Sequence, residues 1–191
     1  LKYDGLWTLR NLKLGKMLRL IAKTALNNPP WFNIDKVARL EHAYDVKACY
    51  YWIVQQGRDH LGIKNGDYHI HEKRIQKQMQ YAQSLGNEMG LHKSTMDTTI
   101  ELELPQVKGA QGNRYHFLKI NNPSSFLQME QAGVQSDSSI GFPYHMGFKN
   151  SFGLPYQPYS TERNGAMNVV EIPLQIMDGM FSIRDADSAD R

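Results

Sequence analysis

Two histidines and an arginine lie in apolar stretches of the sequence, where their side chains could carry out chemistry. His92 directly follows the run Met-Gly-Leu, and Arg114 and His116 lie in the run Arg-Tyr-His-Phe-Leu. Imidazoles bind divalent metals or transfer protons, and a guanidinium can orient a carboxylate or stabilise developing negative charge. These residue types are typical of a hydrolase that activates water on a metal. The alternative for His92 is a partly buried histidine whose ring nitrogens are satisfied by the backbone.

Other polar side chains lie at or near the ends of further predicted strands. Ser94 follows His92, Asp137 and Ser138 lie in a later apolar segment, and Asp178 follows the last one. Ligands collect at the carboxyl ends of parallel strands, so we expect these side chains to share one pocket. Asp178 could instead cap a helix or a loop.

The hydrophobic pattern predicts strands that alternate with helices. The predicted strands are short apolar runs rich in β-branched and aromatic residues, as in a parallel sheet that is covered on both faces. The segments between them show apolar residues at helical spacing. This alternation predicts an α/β fold, either a parallel sheet or a barrel. The predicted strands are residues 46–54, 88–91, 113–120, 134–140 and 169–177. The predicted helices are residues 6–26, a helix capped by Asn33 or Asp35, residues 71–85 and a helix from Pro123 to Gly133.

The composition is that of a globular chain and excludes several classes of protein. With 191 residues, 41% of them hydrophobic, the chain fits a single domain with a real core. Its net charge of +3 is small and scattered, so nucleic acid is not expected as a partner. One cysteine, Cys49, excludes a disulfide framework and a cysteine-based zinc site. The sequence contains no apolar run of membrane-spanning length and no glycine-rich phosphate-binding motif, and it leaves the oligomeric state open.

Five short motifs follow one another along the chain: EMGLHKS (residues 88–94), GNRYHF (112–117), AGVQSDSSIGF (132–142), GFK (147–149) with PYQPY (155–159), and EIPLQIMD (171–178). In this order they resemble the polysaccharide deacetylase family, the NodB-homology domain, and more closely its bacterial branch of deacetylase-like proteins. The resemblance covers residues 35–181, which makes it more specific than any single motif. It implies the family fold, a distorted (β/α) barrel, which this chain would contain in incomplete form.

Members of this family remove N- or O-acetyl groups from sugars with a divalent metal, usually zinc, held by one aspartate and two histidines. The resemblance therefore implies that His92 binds the metal, and His116, from the next strand, is the candidate for the second ligand. It makes Arg114 and Asp137 catalytic residues, with Arg114 positioning the base and Asp137 bordering the groove. The implied substrate-binding residues are Ser94, Tyr115, Ser138, Phe148, Tyr156 and Asp178.

The chain departs from the family pattern in three places. Met96 stands four residues after His92, where the second metal-binding histidine is expected, and His116 is therefore the candidate replacement. The strand that ends in paired aspartates, which should carry the third ligand and the base, is expected before Leu1. The closing strand with its Leu-x-His motif is expected after Arg191. The chain is either a piece of a longer protein or a relative that lacks the base and one ligand.

Two functions follow from these observations. The first is a metal-dependent hydrolase that removes acetyl groups from an acylated amino sugar or a cell-envelope polysaccharide. The second is a non-catalytic relative that binds glycan or has a structural role. The segment 141–159 is rich in glycine, proline and aromatic residues, and it is predicted to be irregular. Its rings could stack against sugar rings or plug the mouth of a barrel.

Overall fold

The computed structural model describes one long stretch of the chain, residues 32–177, and three single residues before it. These three, Gly15, Leu18 and Ala22, are helical and exposed. The other residues of the helix predicted over 6–26 lie outside the described part. So do residues 182–191, which the sequence predicts to be a loose, charged tail because they contain few apolar residues.

The chain divides into two compact units, Leu1–Asp45 and Val46–Arg191. In the first unit, helix α1 (Ile34–Ala43) begins after Asn33, which occupies the predicted capping position but makes no capping hydrogen bond with its side chain. Leu40, on the side of the helix that the sequence predicts to be apolar, is exposed. The helix is therefore confirmed, whereas its predicted apolar side is not buried at this residue.

The second unit contains all the strands of the described residues and three α-helices. The helices are α2 (Lys73–Ser84), α3 (Ile100–Glu103) and α4 (Ser124–Gln131), with two 3₁₀ helices at Leu104–Gln106 and His116–Leu118. The strands are β1 (Cys49–Trp52), β2 (Glu88–Lys93), β3 (Gly112–Tyr115), β4 (Ser136–Asp137), β5 (Tyr159–Ser160), β6 (Gly165–Ala166) and β7 (Val170–Glu171).

Five of the strands form one parallel sheet. Its order is β1-β2-β3-β4-β7, so the strands lie side by side in the order in which they occur along the chain. The strands β5 and β6 pair separately as an antiparallel hairpin. Because crossovers between parallel strands are right-handed, this order places the connecting helices on one face of the sheet. The predicted α/β fold is confirmed; within the described residues β1 and β7 each have one neighbour, and closure into a barrel is not seen.

The helices follow from local signals in the sequence. The helix predicted over 71–85 is confirmed as α2, which buries Ile75 and ends just before Gly86, whose φ of 83° stops a helix. The helix predicted from Pro123 to Gly133 is confirmed as α4, and Gly133 also adopts a positive φ. None of the helices in the described part of the chain has both the length and the hydrophobicity needed to cross a membrane.

The strand ends differ from the predicted ones. β2 runs two residues further than predicted, so His92 lies inside the strand and not just after it. β3 ends at Tyr115, because Phe117 and Leu118 adopt φ values of 56° and 53°, which an extended strand excludes. His116 therefore lies in a 3₁₀ turn directly after β3. The last two predicted strands contract to the two-residue strands β4 and β7.

The face of the sheet that packs against helices is called the helix face. Side chains alternate between the two faces along each strand. On the helix face, the Asn113 amide lies 3.5 Å from the Met129 sulfur of α4, and Lys93 forms an ion pair of 2.9 Å with Glu103 of α3. The alternation places on this face Trp52, Leu91, Lys93, Asn113, Asp137 and Glu171.

The opposite face, called the far face, carries glycines and polar residues. A Cβ atom at Gly90 would lie 2.5 Å from the Tyr51 ring, and one at Gly112 would lie 3.7 Å from it. Two residues further along these strands, His92 and Arg114 lie side by side in register. The two glycines therefore leave room for the Tyr51 ring next to the histidine and the arginine.

Replacing Gly90 with alanine should destabilise the fold, because the added methyl group would collide with the Tyr51 ring. We expect a loss of about 1–3 kcal/mol in the free energy of unfolding, as overpacking usually costs. Gly165→Ala is the control, since a Cβ atom there meets nothing closer than 3.9 Å. Urea denaturation measures both variants, and equal stability of the two would show that the ring does not lie over Gly90.

Candidate functional site

The two predicted metal-binding histidines meet at the carboxyl end of the sheet. His92 extends from β2 and His116 from the turn after β3, and His92 Nε2 lies 2.9 Å from His116 Nδ1. The rings cross at 77°, with their centroids 4.9 Å apart. The other nitrogen of His116, Nε2, lies 2.9 Å from the backbone carbonyl of Lys64. The structure thus brings together two residues that are 24 positions apart in the sequence.

These contacts decide which nitrogens carry protons. A carbonyl oxygen only accepts hydrogen bonds, so His116 donates from Nε2 to Lys64 and its Nδ1 accepts from His92 Nε2. His92 Nδ1 is then unprotonated, and it is buried without a hydrogen-bond partner among the described residues. Burial, then the neighbouring His116 ring, and then the positive charge of Arg114 lower the pKa of His92 to about 4. His92 is therefore a neutral imidazole with an unused lone pair at physiological pH.

Arg114 is held beside His92 by contacts on the far face. Its Nε donates to the Ser138 hydroxyl at 2.9 Å, and its guanidinium lies 4.6 Å from the centre of the Tyr51 ring. The Ser138 hydroxyl in turn donates to the Tyr51 hydroxyl at 3.1 Å. Burial raises the pKa of Tyr51 to about 12, so this phenol stays neutral. Hydrogen bonding and the cation–π contact thus orient the guanidinium before any ligand binds.

Asp137, the second predicted catalytic residue, does not join this group. Its side chain lies on the helix face, fully buried, where it accepts from the Asn113 amide at 2.8 Å. The Ser139 backbone N–H and hydroxyl also donate to it, each at 2.9 Å. Because successive side chains of a strand point to opposite faces, it is the next residue, Ser138, that faces Arg114.

Asp137 instead forms a carboxyl pair with Glu171, its register partner on β7. Both side chains are fully buried, and Glu171 Oε1 accepts from the Ile140 backbone N–H at 3.0 Å. Burial, and then the negative charge of Asp137, raise the pKa of Glu171 to about 9, while burial raises the pKa of Asp137. The pair therefore retains a proton at neutral pH. Glu171 is not among the predicted site residues, although a glutamate inside a predicted apolar strand is a sequence signal for it.

Ser94, a predicted substrate-binding residue, belongs to a buried network. Its hydroxyl lies 2.5 Å from Glu103 Oε1, and its backbone N–H donates to Oε2 of the same carboxylate at 3.0 Å. Lys93 neutralises Glu103 through the ion pair on the helix face. Ser94 therefore holds the loop after β2 in place. Glu103 is not among the predicted site residues, because it lies in a segment for which the sequence predicts no element.

The other predicted substrate-binding residues are spread over the second unit. Tyr115 is buried on the helix face next to the sheet end. Phe148 and Tyr156 lie in the irregular segment that follows β4, and Tyr156 pairs through its backbone with Glu171 of β7. Asp178 lies outside the described residues.

A cleft of about 330 Å³ opens beside His116, between the loops that follow β1 and β2. This volume is in the range of pockets that hold small molecules. Its walls combine hydroxyl, carboxyl and amine groups with apolar side chains in nearly equal parts. The lining residues include Asp59, His60, Ser94, Thr95, Met96, Asp97, Thr98, Tyr115, His116 and Lys119.

The contact between the two imidazoles can be compared with the histidine pair of a zinc site. Two nitrogens on one tetrahedral zinc lie about 3.3 Å apart, given Zn–N bonds of about 2.0–2.1 Å. The observed 2.9 Å between His92 and His116 is a hydrogen bond, so the rings would have to separate and turn before both lone pairs could point at one ion. The described residues contain no group of three His, Cys, Asp or Glu side chains that could hold a metal. They therefore supply two donors, and further donors would have to come from outside them.

Comparisons of the chain with protein-family models, with curated proteins and with solved structures find no match. The resemblance to polysaccharide deacetylases therefore rests on the motifs and their order in the sequence. The motifs and the geometry of the described residues are therefore the observations that bear on function.

The carboxyl pair predicts how stability depends on pH. The pKa of Glu171 is about 9 in the folded chain and about 4.3 in an unfolded one, so the folded chain binds more protons between these values. The contribution to stability is complete below about pH 4.3 and is lost as the pH rises towards 9. Glu171→Gln keeps a neutral side chain at every pH. As the pH rises, the free energy of unfolding of the wild type should therefore fall relative to that of this variant by up to about 1.4 kcal/mol per pH unit.

Urea unfolding at several values from pH 6 to 9 measures this change. Glu101→Gln, at an exposed position, is the control and should follow the wild type throughout. A constant difference between Glu171→Gln and the wild type across this range would contradict a shared proton.

Proposed function

We propose that this protein is a metal-dependent hydrolase that removes acetyl groups from an acylated amino sugar or a cell-envelope polysaccharide. The observation that carries the proposal is the 2.9 Å contact between His92 and His116 at the carboxyl end of a parallel sheet. Ligands of α/β folds bind at this edge. The motif order supports the acetylated sugar as substrate, since the described geometry alone is compatible with other hydrolysed bonds.

His92 and His116 would hold the metal, with an aspartate from outside the described residues as a further ligand. A bound zinc ion would lower the pKa of a water molecule and polarise the acetyl carbonyl. Binding through His92 Nε2 requires that the proton of this ring move to Nδ1, which has no hydrogen-bond partner among the described residues. A ligating histidine commonly donates its other N–H to a carboxylate, a carbonyl or a water molecule, so Nδ1 would need such an acceptor.

Arg114 would position the carboxylate that acts as general base. Its guanidinium is already oriented by Ser138 and Tyr51, so little conformational freedom is lost when a carboxylate binds. Asp137 is poorly suited to act as the base, because it is buried on the helix face and hydrogen-bonded to Asn113. The base would therefore lie outside the described residues, as the family resemblance implies.

We further propose that the sheet is part of a distorted (β/α) barrel. Consecutive strand order with helices on one face is the arrangement from which such barrels are built. In a barrel, the far face would line the interior, which suits its glycines and its polar group around Arg114. Segments outside the described residues would then pair with β1 and β7.

Non-catalytic glycan binding is the second candidate function. The exposed rings of Tyr144, Phe148 and Phe152 after β4 favour it. In that case the two histidines would form a structural hydrogen bond, and glycan would bind to the exposed aromatic residues of the segment after β4.

Zinc binding separates the two candidates. We expect the full protein to bind about one zinc ion per chain, and His92→Ala or His116→Ala to weaken binding by at least about 100-fold, since even outer-shell changes cost 10–100-fold. His71→Ala, at an exposed position, is the matched control and should bind zinc normally. Isothermal titration calorimetry measures the affinity, and acetate release from N-acetylglucosamine oligomers measures the activity.

A hydrolase requires that zinc binding and acetate release be lost together in the two site variants. If the wild type neither binds zinc nor gains thermal stability from it, and releases no acetate, the catalytic proposal is wrong and glycan binding is the better answer.

A further inference from the structure

The chain makes a strained turn directly after His116. Phe117 and Leu118 have φ values of 56° and 53°, both in the left-handed region. Bulky L residues rarely adopt this conformation, because the side chain crowds the backbone, and two in succession are rarer still. Backbone strain of this kind persists only where the surrounding structure imposes it, and it is concentrated at functional sites.

Local sequence preference does not account for the turn. The segment 114–120 contains tyrosine, phenylalanine and isoleucine and has neither glycine nor proline. Aromatic and β-branched residues favour extended structure, so a longer strand β3 would avoid the strain altogether. Contacts that the turn makes with its neighbours must therefore stabilise it.

The contacts of the turn converge on His116. The Phe117 ring lies against the His116 ring at a tilt of 56°, with centroids 4.4 Å apart. The His116 carbonyl accepts a hydrogen bond from the Lys119 N–H at 3.3 Å, which closes the turn. Phe117 leaves 64% of its surface accessible, so its ring adds little to the hydrophobic core. The described contact of this ring is with the histidine.

The orientation of the His116 ring decides which nitrogen meets which partner. Its Nδ1 accepts from His92, and its Nε2 donates to the Lys64 carbonyl, each at 2.9 Å. Half a turn of the ring about its Cβ–Cγ bond would put carbon atoms in place of both nitrogens and break both hydrogen bonds. The Phe117 ring, packed beside the imidazole, obstructs such a rotation.

We propose that Phe117 is a positioning residue for His116. Its left-handed backbone and its ring hold the imidazole with Nδ1 towards His92 and Nε2 towards the Lys64 carbonyl. Because Nε2 keeps its proton for that carbonyl, Nδ1 presents a lone pair, as a histidine must when it binds a metal. The consequence for zinc rests on the proposed function, whereas the orientation of the ring does not.

Phe117→Gly tests the proposal, because glycine adopts a positive φ without strain and carries no ring. We expect the melting temperature to rise by about 2–4 °C, the size of shift that a modest stabilisation produces in a chain of this length. The His116 ring should turn more freely, so NMR should show averaged signals for its two nitrogens instead of one protonated and one unprotonated nitrogen. Zinc affinity, measured by calorimetry, should fall by about 10-fold, as it does when other outer-shell partners are lost.

Two further variants are controls for this experiment. Phe117→Tyr keeps an aromatic ring at the same position, so its histidine signals and zinc affinity should match those of the wild type. Asp45→Gly places glycine at another exposed residue of positive φ, 54°, which belongs to the first unit and not to the sheet. It should also leave the histidine signals and the zinc affinity unchanged.

The outcomes separate this proposal from the catalytic one. Wild-type nitrogen signals for His116 in Phe117→Gly would overturn the positioning role, even if the melting temperature rises, because the turn would then be structural only. A lower melting temperature in Phe117→Gly would also overturn it, since the turn would not be strained. A wild type that binds no zinc, together with averaged His116 signals in Phe117→Gly, would support the positioning role and contradict catalysis.

Discussion

Parallel register, combined with the two-residue alternation of side chains, decides where each polar group of this sheet lies. His92 and Arg114 are register partners, so both side chains leave the sheet on the far face. Asn113 and Asp137 are also register partners. Because Asn113 precedes Arg114 by one residue, the side chains of this pair extend from the helix face. Neighbouring residues of one strand end therefore belong to two separate polar clusters, and a shift of one residue in register would exchange them.

The polar groups of the sheet avoid the cost of buried charge in different ways. Asp137 and Glu171 keep a proton, which turns a repulsive pair of carboxylates into a hydrogen bond. Glu103 is neutralised by Lys93 and by the donors of the loop after β2. His92 stays neutral because burial and nearby positive charge depress its pKa to about 4. His92 Nδ1 and Glu171 Oε2 are both buried without a hydrogen-bond partner among the described residues, and of the two only the imidazole is held neutral without keeping an extra proton.

The sequence predicts the parts of this fold that depend on local signals. Helical spacing and Gly86 indicate α2, and the alternation of helices and apolar runs indicates a parallel sheet that brings His92 close to Arg114. The face on which Asp137 lies could not be predicted, because it depends on a register that a two-residue strand does not encode. The buried carboxylate of Glu171 is satisfied by a distant residue, and the left-handed turn at Phe117 interrupts a run that otherwise suits a strand. Long-range contacts, not local propensity, account for these differences.

The electrostatics of the far face limit which donor could complete a metal site. His92 is neutral, which is the form of imidazole that binds metals. Arg114 already places a positive charge beside it, and a divalent cation would add two more in a half-buried environment. Such a site is favourable only if the remaining donors are anionic. Asp137 and Glu171 cannot supply this charge, because they lie on the helix face and share a proton. A carboxylate from outside the described residues therefore suits the site better than a neutral donor.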